Sequence, residues 1–222
     1  MDVIYPIIFI ALFSLIIVFI IHKLISSRRK KFINSYQFPQ TIRNNVAKTY
    51  PHLTDVEIDR VMSGLRDYFH LIAQSRRNMV AMPSQVVDVA WHEFILFTRK
   101  YDQFCSKALG RFLHHTPAEA MKSQVKAQGG IKRAWRIACY LEKIDPYKPK
   151  RLPAIFAIDT LLKIEDGFHY ELDCMKRTSP NSGGNDSGAY CGSHIGCSSG
   201  CVGSAGDGGC AGDGGGGGCG GS

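Results

Sequence analysis

The segment Val86–Cys105, VVDVAWHEFILFTRKYDQFC, sets a histidine between a tryptophan and an acid inside a run that otherwise has the composition of packed core. If residues 85–99 form one helix, at roughly 100° per residue Arg99, His92 and Gln85 fall within about 60° of Asp88 and make one narrow polar stripe. Val87, Val89, Ala90, Trp91, Phe94, Ile95, Leu96 and Phe97 take nearly every other direction. A helix that is apolar all round belongs in the middle of a bundle, so the stripe is expected to be buried.

Asp88 and His92, at i and i+4, are neighbours on one helix face, where a carboxylate can fix the imidazole tautomer and raise its basicity. Downstream, Cys105 and the pair His114, His115 in GRFLHHTPAE add sulfur and nitrogen donors just ahead of an expected helix start. His92, Cys105 and one of His114 or His115 would compose a three-ligand set for a transition metal such as zinc, with one position left open and Asp88 behind the ligands. Glu93 and Asp102 are the acid or base candidates if a reaction takes place there, but spacing alone pairs no nucleophile with a base. The competing reading makes His92 a hydrogen-bonded packing residue and Cys105 a buried thiol, which is common for such residues on core helices.

The elements that must position these residues are helical. Thr54 followed by Glu57 has capping-box spacing, and Val61, Leu65, Tyr68 or Phe69, and Ile72 recur at helical intervals behind it. Ser84 is the expected N-cap of the tryptophan helix. Thr116, Pro117 and Glu119 mark another helix start, which Gly129 and Gly130 are expected to end before a further helix begins at Ile131. A proline-rich connector, DPYKPKRLP, leads to a last short helix in PAIFAIDTLLKI. No alternating strand pattern of convincing length is present.

The expected fold is therefore all-α, a compact bundle of five or six helices over residues 40–178, with an N-terminal transmembrane helix before it and a disordered tail after it. Val3–Ile21 is a charge-free run of 19 residues, the length a helix needs to cross a hydrocarbon core of about 30 Å. It assigns residues 1–25 to an anchor and 26–39 to a basic connector. Asp2 is the one charge before the run and Lys23, Arg28, Arg29, Lys30 and Lys31 follow it, so a cleaved signal is disfavoured. The same asymmetry predicts an integral single-pass protein with its N-terminus outside and its domain cytoplasmic, the basic cluster resting on anionic lipid head groups. Of the 23 glycines 18 fall in residues 179–222, a segment with too few branched apolar side chains to offset its ordering entropy. Its Cys191, His194, Cys197 and Cys201 lack the close C-x-x-C pairing of a secure zinc site, and thiols on the cytoplasmic side stay reduced. The basic side chains of the domain are scattered, without the aromatic-interleaved stripe that would point to nucleic acid.

VDVAWHEFILFTRKYDQFC, GRFLHHTP and LPAIFAIDTLLKIEDGF together resemble a bacterial family of glycine-rich domain-containing-like proteins, distantly similar to plant glycine-rich domain proteins with a Trp-His motif. The resemblance spans roughly residues 50–175, and Trp91, His92, Tyr101, Cys105, His114 and Pro117 carry it. It implies a defined domain with no established reaction. The anchor, domain and tail together suggest a tethered domain that binds a protein partner or ligand, with a metal-binding or redox enzyme as the alternative.

Overall fold

The computed structural model describes residues 4–115, 124–172 and 190–191. In chain order the helices are α1 (Ile4–Ser35), α2 (Gln40–Thr49), α3 (Asp55–Gln74), α4 (Gln85–Ile95), α5 (Thr98–Leu109), α6 (Gln124–Glu142) and α7 (Ala154–Leu161). Two short strands, β1 (Tyr170–Glu171) and β2 (Tyr190–Cys191), pair in parallel. Apart from β2, the tail expected to be disordered lies outside the described residues, as does the helix start expected at Thr116.

α3 forms where the capping box said it would. The Thr54 hydroxyl accepts from the Glu57 amide at 3.4 Å, and the Glu57 carboxylate accepts from the Thr54 amide at 2.8 Å. Two of the amides that a helix start leaves unpaired are thereby satisfied. Val61, Leu65, Tyr68, Phe69 and Ile72 then face the core, against which α2 and α4 pack. At the centre, Tyr36, Phe38, Phe69, Phe94 and Phe104 form an aromatic cluster, with Phe69 and Phe104 at a 4.5 Å centroid separation and Phe38 edge-on to Phe94 at 5.2 Å.

The transmembrane helix expected at the N-terminus is overturned: among the described residues no helix is long and apolar enough to cross a membrane. The apolar run and the basic cluster belong to one 32-residue helix whose last turns are built into the domain. Ile33 is fully buried, and Phe32 packs on Phe104. Arg66 of α3 donates to the carbonyls of Ile33 and Tyr36 at 3.1 and 2.8 Å, taking up acceptors that the end of α1 leaves free. Arg29 lies against Gly110, the left-handed C-cap of α5 (φ 70°), where a Cβ would collide with its guanidinium. A charge-free run reports its own length and not where its helix ends or what the end packs against. The integral-membrane assignment therefore falls, and with it the lipid-head-group role of Arg28, Arg29, Lys30 and Lys31 and the N-outside orientation with a cytoplasmic domain.

His70, on the face of α3 towards α1, hydrogen-bonds Asn34 through Nε2 at 2.7 Å. Burial, reinforced by the positive charges of Lys30 and Arg66, lowers its pKa to about 4. Between pH 4 and 6.5 the unfolded chain therefore takes up a proton that the folded chain refuses, and stability declines as pH falls through that window. In urea titrations the gap between His70→Gln and the parent should move in favour of the variant on going from pH 7 to pH 4.5. A gap constant with pH would show that His70 is not held neutral.

Gly129 and Gly130 do not end a helix. α6 runs through both, because Gly130 sits where the helix crosses the segment before α4: a Cβ there would lie 2.6 Å from Met79 Cε and 3.0 Å from the Ala81 amide nitrogen. A Cβ on Gly129 would meet nothing within 4 Å. Gly129→Ala should stabilise by up to about 1 kcal/mol through helix propensity, whereas Gly130→Ala should destabilise by about 1–3 kcal/mol because the backbone at Ala81 must give way. Thermal unfolding of the two variants checks the contrast, and equal shifts would contradict it.

Candidate metal centre

α4 starts at Ser84, whose hydroxyl accepts from the Val87 amide at 3.3 Å. A second group, which no local pattern announces, holds the same start. Asp159 of α7 is 1% exposed and accepts from the Ser84 hydroxyl (2.7 Å), the Gln85 amide (2.7 Å), the Val86 amide (3.3 Å) and the Phe168 amide (2.9 Å). A carboxylate at the positive end of a helix is favourably placed, and this one also ties α4 to α7 and to the loop beyond it. An acid within the apolar run AIFAIDTL was the available signal.

Asp88 and His92 are one turn apart on α4, with Oδ2 and Nε2 separated by 3.6 Å. The third member comes from the segment after α5: His115 Nε2 is 2.9 Å from His92 Nε2 and 3.5 Å from Asp88 Oδ1. Along that segment burial alternates from residue to residue. Leu113 is buried and His115 faces α4, while Phe112 and His114 are exposed and pack on each other at 4.8 Å. His115 is fixed edge-on between Trp91 at 4.7 Å and His92 at 4.2 Å.

The structure thus brings Asp88, His92 and His115 together and leaves out Cys105 and His114. Cys105 is wholly buried and its thiol pKa is raised by burial, so it stays protonated inside the core. Glu93 accepts from Asn45 Nδ2 at 2.5 Å, and Asp102 is exposed on α5. The expected buried stripe is corrected as well. α4 ends at Ile95, a turn through Leu96 and Phe97 starts α5, and Arg99 is carried away from His92. The His92 side chain is 48% exposed, so the cluster opens at the surface.

Two observations bear on whether these three groups suit a metal. Asp88 Oδ1 is buried and has no hydrogen-bond donor among the described residues, since its 3.5 Å approach to His115 is too long for a good bond. Moreover, both imidazoles present Nε2, 2.9 Å apart, with Asp88 Oδ1 3.5 Å from His115 and Asp88 Oδ2 3.6 Å from His92, so one donor atom from each residue lies within 4.8 Å of the others, close enough for a single ion to be shared. Without an ion the groups compete for protons. Burial raises the Asp88 pKa, against the opposing pull of His92 and His115, and burial lowers that of His115. An ion would satisfy the orphaned oxygen and both lone pairs at once.

Fold and site define a helical domain with a two-histidine, one-carboxylate cluster at its surface. A family model described as UCP032817-like matches residues 28–195. The chain belongs to that family, which is uncharacterised. No curated protein and no solved structure matches it.

Proposed function

We propose that the domain is a metal-binding module that holds a zinc-type divalent ion through Asp88, His92 and His115. The observation that carries this reading is the triangle of donor atoms, all within 4.8 Å of one another, around a buried carboxylate oxygen that nothing else among the described residues satisfies. Two imidazoles and one carboxylate suit zinc, and the same set with further positions free also suits iron(II). An exposed ligand on one side leaves room for a water or an incoming ligand, which is the arrangement of a reactive rather than a purely structural site. The likeness to glycine-rich domain-containing proteins forms part of this reading: Trp91 and His92, which carry it, both line His115.

Cobalt(II) titration of the full chain tests the proposal. One ion per chain should bind with a nitrogen and oxygen ligand spectrum, distinct from the thiolate charge-transfer bands that the tail cysteines would produce. His92→Ala should remove that spectrum and leave helicity unchanged. If the parent shows no such spectrum, or if His92→Ala retains it, the proposal fails.

A further inference from the structure

The Tyr101 hydroxyl stands between the two halves of the metal cluster. Trp91 Nε1 donates to Tyr101 Oη at 3.1 Å, and Tyr101 Oη donates to the Leu113 carbonyl at 2.6 Å. Trp91 adjoins His92 on α4, and Leu113 lies two residues before His115. Asp88 and His92 come from one helix and need no outside help to meet. His115 comes from a segment with no helix or strand of its own, so its position depends on whatever ties that segment down.

All three groups of the relay are buried: Tyr101 is 1% exposed, Trp91 4% and Leu113 8%. A buried indole N–H and a buried carbonyl both require partners, and the single phenol hydroxyl serves both by accepting from one and donating to the other. Phenylalanine would fill the same space without doing either. Phe112 packs edge-on against the Tyr101 ring at 5.4 Å and supports the same segment from its exposed side.

We propose that Tyr101 is a positioning residue for the metal centre, setting metal affinity by holding the Leu113–His115 segment against α4. This inference rests on the metal reading above, and it adds that affinity is controlled by a side chain that does not touch the ion. A residue that only stabilised the fold would alter metal affinity to the same degree whether or not His115 is a ligand. A residue that acts through His115 would not.

The test is a double-mutant cycle on the full chain, with cobalt(II) affinity as the readout. Tyr101→Phe should weaken binding by about 10–100-fold, the range typical of groups that orient metal ligands from behind. In a His115→Ala background, where Asp88 and His92 bind cobalt weakly, the same substitution should change affinity by less than about twofold if the two sites are fully coupled. Phe112→Ala, at a side chain 41% exposed, gives a second cycle that decides the matter even if Tyr101→Phe does not fold. It should weaken binding in the parent and not in His115→Ala. Parental affinity in the folded single variants, or an equal loss in both backgrounds, would overturn the proposal while leaving the metal reading intact. Absence of cobalt binding to the parent would overturn both.

Discussion

Asp159→Ala is expected to destabilise the domain by about 3–5 kcal/mol, more than any other substitution proposed for this fold. The buried carboxylate accepts four hydrogen bonds, three of them from the first turn of α4 and one from the Phe168 amide. Alanine would leave the Ser84 hydroxyl and three amides without their acceptor, and α4 would lose the negative charge at its N-terminus. Asp159→Asn keeps the shape and some acceptor capacity, so it should cost roughly half as much. Urea denaturation of the two variants checks the order. A loss below about 1 kcal/mol for Asp159→Ala would mean that solvent or Ser84 can replace the carboxylate.

Asp88→Asn is expected to act in opposite directions on binding and on stability. As a ligand, Asp88 contributes the only negative charge of the cluster, and its loss should weaken zinc or cobalt binding by at least about 100-fold, more than the loss of a group that merely orients a ligand. As part of the metal-free fold, the same carboxylate is a liability. Its Oδ1 is buried without a donor, and burial raises its pKa. A folded pKa above the unfolded value means that stability falls as pH rises through the interval between them, so the penalty belongs to the ionised carboxylate. Asparagine carries no charge to desolvate and can donate to an imidazole nitrogen, so the metal-free variant should be more stable by about 1 kcal/mol. The two effects are read from cobalt titration and from urea unfolding in chelator at pH 7.5. A variant that loses stability without metal would identify Asp88 as a structural residue and weaken the case for a metal centre.

Much of the local design was legible in the sequence. The Thr54–Glu57 box and the Ser84 cap were readable because each joins residues three apart, a relation that helix geometry settles by itself. The pairing of Asp88 with His92 follows from the same geometry. Other features depended on distant partners. Gly129 and Gly130 looked like a helix end, yet the close approach of Met79 and Ala81 makes Gly130 a crossing point inside one helix. The break at Leu96 and Phe97 separates α4 from α5 and exposes His92, although the uninterrupted apolar run around it suggested a longer, buried helix.

Taken alone, the sequence determined the helical character of the domain, the Thr54 and Ser84 caps and the Asp88–His92 pair, because each is decided within a few residues of chain. Only the tertiary structure decided that the third group is His115 and neither Cys105 nor His114. Leu113 and His115 turn inward while Phe112 and His114 stay exposed, a placement that depends on what the segment meets, including the Tyr101 hydroxyl on the Leu113 carbonyl. The tertiary structure likewise built the end of α1 into the core through Ile33 and Arg66 and recruited Asp159 to the start of α4. These contacts join positions far apart in the chain, and hydrophobic periodicity carries no information about which distant group will satisfy a given buried donor or acceptor.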